Sequence, residues 1–159
     1  MADTGYQAVI DTPIGRLGIR LRDDRLSDID WLDARTPCQA PTHALAAETV
    51  AQLRSYFTDP GHCFDLPLAP AATAFQARVR EALQAIPAGE VRSYGELART
   101  LGSAPRAVGG ACRRNPVPLV VPCHRVVAVQ GLGGFSGQTR GERLAVKQRL
   151  LDHERARRR

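Results

Sequence analysis

A cysteine and a histidine stand side by side at positions 123 and 124, and these two residue types together can form a nucleophile and its base. A free thiol has a pKa of about 8.5, so at neutral pH only a small part of it is the reactive thiolate. His124 could take the proton of Cys123, directly or through one water, if an acid orients its imidazole. Both Asp152 and Glu154 are candidates for that acid. An isolated Cys-His pair is more often a packing cysteine beside a surface histidine, so the pair alone does not define a site.

A second unusual segment precedes this pair. Residues 106–113 have the sequence Arg-Ala-Val-Gly-Gly-Ala-Cys-Arg, and each glycine inside a helix costs about 1 kcal/mol relative to alanine. A smooth glycine surface lets another helix pack closely, or lets the helix enter a DNA minor groove only about 6 Å wide. Both interpretations stay open at this point. In the second, Arg106 is placed to enter the base stack, and in either one Cys112 is expected to be a small packing residue.

The charges of the chain are strongly segregated. Residues 1–70 contain six basic and ten acidic side chains, whereas residues 71–159 contain sixteen basic and six acidic ones. The formal net charge of +6 therefore comes from the second part alone. A genome that favours arginine codons would explain why nearly all of the basic residues are arginine, but not why they are segregated. A localised positive surface favours a polyanion partner such as nucleic acid.

The composition indicates a globular protein, with 43% hydrophobic and 24% charged residues. No apolar run approaches the roughly 18 residues of a membrane span, and the first residues lack the pattern of a secretory signal. We therefore expect a soluble cytoplasmic protein whose four cysteines stay reduced. Cys38, His43, His62 and Cys63 are conceivable zinc ligands, but the adjacency of the last two is awkward for tetrahedral coordination. We expect no metal and no cofactor.

The first 69 residues are predicted to form a small α+β domain. Apolar residues alternate over three short stretches with turns between them, which indicates an antiparallel meander with one buried face. A helix is predicted near 42–58 and is ended by the Asp-Pro-Gly of 59–61. Its apolar face is predicted to contain Leu45, Val50, Leu53 and Phe57. The segment 66–72, with two prolines, is the predicted linker.

Residues 70–159 are predicted to be mainly helical. Thr73 is the expected cap of a first helix, and Ser93 with Glu96 has the spacing of a capping box for a second. Ser103 is expected to cap a third helix over 104–113. Two short helices joined by a turn that contains Gly102 are a helix-turn-helix candidate.

Two further elements are predicted around the Cys-His pair. The apolar run Leu119–Val121 is expected to be a short buried strand that delivers Cys123 to its end. A last helix is expected near 142–155, which would carry both candidate acids.

Several ordered blocks of this sequence, taken together, closely resemble the O6-alkylguanine-DNA alkyltransferases, or methylated-DNA–protein-cysteine methyltransferases. The strongest blocks are Arg-Ala-Val-Gly-Gly at 106–110 and Pro-Cys-His-Arg-Val at 122–126. The others are Ser-Tyr at 93–94, Asn-Pro at 115–116, Gly-Phe-Ser-Gly at 134–137 and Leu-Leu-Asp-His-Glu at 150–154. The resemblance covers most of residues 73–154, with a weaker match of Thr-Pro-Ile-Gly at 12–15. A pentapeptide can recur by chance, but ordered blocks at compatible spacing are specific.

The resemblance implies the architecture and the reaction. The fold would be α+β, with a ribonuclease H-like structural domain over 1–69 and a winged helix-turn-helix-like domain over 70–159. The second domain would bind double-stranded DNA through the minor groove and flip out O6-alkylguanine, or less readily O4-alkylthymine. The alkyl group would pass to Cys123 in a single turnover that consumes the protein. We expect the protein to act as a monomer.

The resemblance also implies roles for single residues. Cys123 would accept the alkyl group, His124 would be its base through water, Glu154 would hold the imidazole, and Asn115 would brace the turn. Arg106 would replace the flipped nucleotide in the stack. The other residues implied to contact DNA or the base are Tyr94, Ala107, Gly109, Gly110, Arg113, Val126, Phe135 and Ser136. Tyr94 would press on the target phosphate and donate to guanine N3. The backbone carbonyls of Cys123 and Val126 would accept from the guanine amine. The backbone N–H of Ser136 would reach guanine O6.

Two other classes of protein are compatible with parts of the sequence. A protein that flips and flags damaged guanine without repairing it has no use for Cys123. A Cys-His acyl hydrolase or peptidase does not explain Arg106, the paired glycines or the basic half. Within the family, Phe135 stands where tyrosine is common, and the loop over 135–144 looks longer than in many relatives, so the preferred size of the alkyl group stays open.

Overall fold

The computed structural model describes residues 5–129, 133 and 142–156, and the chain divides into two units, Met1–Ala69 and Pro70–Arg159. The first unit combines a sheet with one helix and the second is mainly helical, so the fold class is α+β. None of the helices in these stretches is both long and apolar enough to span a bilayer.

The first unit is built on the antiparallel meander that the alternating pattern predicted. Its strands, in the order β1-β2-β3, are β1 (Ala8–Thr12), β2 (Gly15–Arg22) and β3 (Arg25–Leu32). The turn between β2 and β3 places Asp23 and Asp24 at φ values of 52° and 57°, a left-handed conformation that aspartate tolerates better than most residues. Leu17 and Ile19, which alternate on β2, are completely buried in the core of this unit.

Helix α1 (Ala44–Thr58) lies within the predicted range, and its buried face is the predicted one in part: Val50 and Leu53 are buried as expected. The apolar residues that it buries are Ala46, Val50, Leu53 and Tyr56. Leu45 and Phe57, expected on this face, are only half-buried. Each residue turns an α-helix by about 100°, so Leu45, five residues before Val50, lies about 140° away from it around the helix axis.

The described part of the second unit contains four α-helices and one short parallel strand pair. The helices are α2 (Ala74–Gln84), α3 (Tyr94–Leu101), α4 (Pro105–Arg113) and α5 (Glu142–Ala156). Strands β4 (Arg92–Ser93) and β5 (Val126–Val127) pair in parallel, with Arg92 opposite Val126 and Ser93 opposite Val127. This pairing places the start of α3 beside the segment that follows the Cys-His pair.

Two of the three predicted caps in this unit are confirmed. The Thr73 side chain accepts from the backbone N–H of Gln76, and Ser93 with Glu96 forms a complete capping box at α3. The prediction for Ser103 is wrong. Ala104 occupies the cap position of α4 without a side-chain hydrogen bond, and Pro105 is the first helical residue. Proline is favoured at this position because its fixed φ suits a helix. It also lacks a backbone N–H, which at the first helical residue would have no acceptor within the helix.

The predicted strand over Leu119–Val121 is also wrong. Leu119 has a φ of 75°, and the backbone N–H of Val121 donates to the carbonyl of Val117 at 3.0 Å, so the chain makes a tight turn. Only an isolated bridge between Pro118 and Val121 remains of strand pairing. Prolines at 116, 118 and 122 flank the run and have no backbone N–H, so strand pairing cannot extend beyond it in either direction.

The different outcomes for the two serines predict different stability effects. Ser93→Ala removes the side-chain acceptor of the capping box, and we expect it to lower the free energy of unfolding by about 1 kcal/mol. Ser103→Ala is the matched control, because this exposed serine is not the cap of α4, and we expect its effect to stay within about 0.5 kcal/mol. Urea unfolding of both variants measures the two values; equal losses would contradict the assignment of the caps.

Candidate active site and nucleic-acid interface

Cys123 begins a single turn of 3-10 helix, Cys123–Arg125, that leads into β5. We call it the reactive turn, because it contains the candidate nucleophile. Its backbone N–H donates to the carbonyl of Val121 at 2.8 Å, and its own carbonyl accepts from the N–H of Val126. Cys123 is buried, with 6% of the residue exposed, on a turn held at both ends.

Asn115 joins the two sides of the loop that precedes this turn. Its Nδ2 donates to the carbonyl of Val121 at 2.9 Å, and its Oδ1 accepts from the N–H of Val117 at 3.1 Å. The side chain thereby joins the two sides of the loop over residues 115–121. Because the Cys123 N–H donates to the same Val121 carbonyl, Asn115 is linked to the reactive turn through one shared acceptor.

His124 and Glu154 meet inside the second unit, and both are completely buried. His124 Nε2 lies 2.7 Å from Glu154 Oε2. Arg125 donates to the same carboxylate through Nε at 2.9 Å and Nη2 at 3.0 Å, and its Nη1 donates to the carbonyl of Ile86 at 2.6 Å. Asp152, the other candidate acid, points elsewhere: it is exposed, and its Oδ1 accepts from Gln148 at 2.8 Å. The role of Arg125 was not predicted.

The carboxylate of Glu154 is held ionised. Burial alone would raise its pKa, but the hydrogen bonds and charges of His124 and Arg125 outweigh burial and lower the pKa to about 2. An ionised carboxylate accepts but cannot donate, so the proton of this hydrogen bond belongs to Nε2 of His124. In the neutral imidazole the lone pair is therefore on Nδ1.

The second ring nitrogen of His124 is available to accept a proton. Nδ1 is buried and has no hydrogen-bond partner within the described residues. Burial lowers the pKa of His124 and outweighs the opposite influence of Glu154, so the ring is neutral at physiological pH. A buried nitrogen with a free lone pair beside a cysteine is what a base acting through one water requires.

The thiol of Cys123 is subject to opposing influences. Burial raises its pKa, and a hydrogen bond from Asn115 and the charge of Lys147 offset this rise only in part. Cys112 on α4 is buried as well, and burial raises its pKa to about 12. A buried thiol with so high a pKa is inert, as expected for a packing residue.

Lys147 on α5 is a site residue that the sequence analysis missed. It is completely buried, and its Nζ donates to the carbonyl of Val126 at 2.7 Å. One signal was present: Lys147 lies on the helical face that contains Val146, Leu150 and Leu151, all of them buried. A single lysine on an apolar helical face in an otherwise arginine-rich chain is a candidate buried amine.

Tyr94, the first residue of α3, lies among three other elements. Its ring atom Cε1 is 4.0 Å from the position of a Cβ on Gly109, and the Nζ of Lys147 is 5.8 Å from its ring centroid. A Cβ on Gly133 would lie 2.8 Å from its Cε2, which is too close for any side chain. Glycine at 133 is thus needed for the ring to keep its place.

The exposed face of α4 supports one of the two interpretations of its glycines. Arg106, Ala107 and Arg113 are exposed, while the residues that α4 buries are Val108, Ala111 and Cys112. A Cβ on Gly110 would meet no atom within 4 Å. Among the described residues, then, no neighbouring helix requires glycine at 110. The smooth, basic surface of α4 is open to an external partner.

The remaining predicted residues divide into two groups. Val126 is completely buried, and its carbonyl already accepts from Lys147. Phe135 and Ser136, with most of the 135–144 loop, lie outside the described residues. The conceivable zinc ligands do not come together: within the described ranges no cluster of three or more potential ligands is present. His43 instead caps α1, and His62 lies beside Gln52.

Comparisons with known proteins agree with this site. Residues 74–156 match the family model described as the DNA-binding domain of 6-O-methylguanine DNA methyltransferase. The chain is 40% identical to the constitutive methylated-DNA–protein-cysteine methyltransferase of Bacillus subtilis, over 94% of this chain and 95% of that protein. It is 42% identical to the methylated-DNA–protein-cysteine methyltransferase of Mycolicibacterium paratuberculosis, over 92% and 90% of the two chains.

A solved structure shows the same fold. The crystal structure of Mycobacterium tuberculosis OGT in complex with DNA superimposes with a TM-score of 0.77 at 36% identity, over 94% of this chain and 92% of that one. The chain belongs to the methylated-DNA–protein-cysteine methyltransferases, the family of DNA-repair enzymes that the sequence resembled.

The buried carboxylate predicts a particular dependence of stability on pH. The pKa of Glu154 is about 2 in the folded protein, against about 4.3 in an unfolded chain. Because the folded value is the lower one, the ionised carboxylate stabilises the fold above about pH 5, and this contribution is lost as the pH falls towards about 2. Glu154→Gln leaves Arg125 without its counter-ion, so we expect it to lower the free energy of unfolding by about 3 kcal/mol at pH 7.

The difference between wild type and E154Q is expected to shrink as the pH is lowered. Urea unfolding at several values between about pH 3 and pH 7 measures it. Asp152→Asn, which changes an exposed carboxylate on the same helix, is the control and should leave stability nearly unchanged. A gap between wild type and E154Q that stays constant with pH would contradict the assignment.

Proposed function

We propose that this protein repairs O6-alkylguanine in double-stranded DNA by transferring the alkyl group to Cys123, once per molecule. The observation that carries the proposal is the arrangement Cys123–His124–Glu154. A buried cysteine precedes, in the chain, a histidine whose Nε2 is held by a carboxylate and whose Nδ1 is free to take a proton. O4-alkylthymine is a poorer substrate in this proposal.

The chemistry requires a displacement at the alkyl carbon. His124 takes the proton of Cys123 through a water, and the thiolate attacks the carbon bonded to O6 of guanine. The S–C bond forms as the C–O6 bond breaks, and guanine leaves with the electron pair of that bond. The proton taken up by His124 then passes to the guanine anion, so the thiol hydrogen has in effect replaced the alkyl group on guanine. S-alkylcysteine is a thioether and a poor leaving group, so Cys123 stays modified and each molecule acts once.

Recognition in this proposal uses the two short helices as a helix-turn-helix in a winged domain over 70–159. α4 enters the minor groove with its glycine surface, and Arg106 fills the place of the flipped base, offsetting part of the few kcal/mol that flipping costs. Ala107 and Arg113 lie along the DNA, and Tyr94 presses on the phosphate of the target nucleotide and donates to guanine N3. The basic surplus of the second part of the chain supplies phosphate attraction.

The pocket for the flipped base is proposed from backbone groups next to the thiol. The carbonyls of Cys123 and Val126 accept from the guanine amine, while Phe135 and the backbone N–H of Ser136 complete the pocket, with the latter donating to O6. A donor there stabilises the oxygen as the alkyl group leaves. The first unit is proposed to be a ribonuclease H-like structural domain, and the protein to act as a monomer.

Intact-mass spectrometry tests the transfer and its site together. After incubation with duplex DNA that contains O6-methylguanine, we expect a gain of one methyl group per protein, mapped to Cys123. Cys123→Ser should gain none and still bind DNA, whereas Cys38→Ser, a change at an exposed thiol of the first unit, should behave as wild type. Several methyl groups removed from DNA per protein molecule would refute the single turnover, and an unmodified position 123 would refute the site.

Alanine at position 110 separates fold stability from DNA binding. Gly110→Ala meets no atom in the protein and removes a helix-interior glycine, so we expect the free energy of unfolding to rise by about 0.5–1 kcal/mol. The added methyl group would stand between α4 and the groove, so affinity for duplex DNA should fall. Urea unfolding and DNA titration give the two values, and methyl transfer from the free base O6-methylguanine is the control that should not change. Unchanged duplex affinity would contradict the proposed use of α4.

A further inference from the structure

A cavity lies between α2 and α4, and no step of the proposed reaction uses it. Its volume is about 530 Å³, within the range of roughly 300–1,000 Å³ that is usual for pockets that bury a drug-sized organic ligand. Among the described residues that line it, Cys123, His124 and Val126 are absent. The cavity is therefore distinct from the pocket proposed for the flipped base.

The walls of this cavity are apolar because the two helices face each other with side chains of different size. Phe75, Val79 and Leu83 are spaced four residues apart, so they lie on one face of α2. From α4 the cavity is lined by Ala107 and Ala111, whose short side chains leave space opposite that face. The helices thus leave room between them for an apolar body.

The charged side chains at the cavity are all positive. Arg80 and Arg114 line it, and none of the described lining residues is acidic. Arg80 is half-buried, and burial lowers the pKa of its guanidinium, but arginine still stays protonated at neutral pH. Arg114 belongs to the exposed rim. A cation that is partly shielded from water forms stronger hydrogen bonds with an anion than a fully solvated one does.

Two further lining residues belong to the loop that holds the reactive turn. Asn115 Nδ2 donates to the carbonyl of Val121 at 2.9 Å, and both residues line the cavity. The same carbonyl accepts from the N–H of Cys123. A molecule in the cavity would therefore lie beside this brace without reaching the sulfur, and the methyl groups of Val121 would report its presence.

DNA satisfies only half of the chemistry of this cavity. Its phosphates suit the two arginines, but a charged and hydrated sugar-phosphate backbone does not suit walls made of Phe75, Val79 and Leu83. A small molecule that joins an apolar body to one acidic group satisfies the walls and the arginines together. Exposed rim residues such as Ala72 and Pro116 leave the cavity open to such a molecule from solvent.

We propose that the cavity between α2 and α4 is a binding site for a small organic anion, with its apolar body against the α2 face and its acidic group beside Arg80 and Arg114. A carboxylate or sulfonate of drug-like size has this chemistry. The inference goes beyond the proposed function, because none of the groups that bind the anion takes part in alkyl transfer.

The fluorescent anion 8-anilinonaphthalene-1-sulfonate is a suitable probe, because it joins apolar rings to one sulfonate. Titration of the wild-type protein should show saturable binding of one molecule per chain. The methyl NMR signals of Val79, Leu83 and Val121 should shift on binding, whereas those of Val9 and Leu17, buried in the first unit, should not. Absence of saturable binding would overturn the proposal, and so would shifts confined to residues outside the cavity.

Substitutions test the space and the charges separately. Ala72→Trp puts a large side chain at an exposed position of the lining, so it should abolish binding and leave the fold intact. Arg80→Met with Arg114→Met keeps two apolar stems without their charges, and we expect at least about tenfold weaker binding of the sulfonate. N-phenyl-1-naphthylamine, which lacks the sulfonate, should bind this double variant and wild type equally. Arg149→Met removes an exposed charge outside the lining and is the matched control.

Equal affinity of wild type and the double variant for the sulfonate would overturn the proposal, as would unimpaired binding by A72W. Circular dichroism shows whether each variant folds. Should R80M prevent folding, R114M and A72W, both at exposed positions, decide the matter. None of these measurements involves DNA. A protein that binds the probe as expected but takes no methyl group from O6-methylguanine DNA would refute the proposed function and leave this site standing.

Discussion

One buried carboxylate is the constraint on which the rest of the site depends. Glu154 is completely inside the second unit and accepts hydrogen bonds from His124 and from two nitrogens of Arg125. An ionised carboxylate can remain in such a place only when its lone pairs are filled by donors. Arg125 also donates to the carbonyl of Ile86, so the same cluster joins α5, the reactive turn and the segment after α2.

Such a cluster is poorly explained as a device for stability. A buried ion pair recovers little more than the desolvation of its members, and apolar residues of similar volume often stabilise a fold at least as well. What apolar residues cannot do is decide which nitrogen of His124 carries the proton. The carboxylate accepts from the N–H of Nε2 and leaves Nδ1 with its lone pair, so the tautomer of His124 is fixed in the folded protein.

The sequence predicted best those features that depend on near neighbours in the chain. The caps at Thr73 and Ser93 were predictable because a cap bonds within three residues of itself. The prediction that Ser103 caps α4 was wrong because Pro105 is favoured as the first residue of a helix, which makes Ala104 the cap. The prediction of a strand over 119–121 was wrong because it considered the hydrophobicity of the run and not the three prolines around it. Arg125 and Lys147 were missed because their partners lie more than twenty residues away. The sequence did allow a choice between the two candidate acids. Glu154 lies on the same face of α5 as the buried residues Val146, Leu150 and Leu151, whereas Asp152 lies on the exposed face.

The pairing of β4 with β5 has a mechanical consequence. Ser93, opposite Val127, immediately precedes Tyr94, and Arg92 lies opposite Val126, three residues beyond the sulfur. Two short stretches of backbone, bonded to each other, thus connect the start of α3 to the turn that contains Cys123. Any macromolecule that docks against the first turn of α3 has its distance to the sulfur set by a few rigid peptide units. The position at which such a macromolecule docks on α3 therefore decides which of its groups faces the sulfur, without a movement of the intervening backbone.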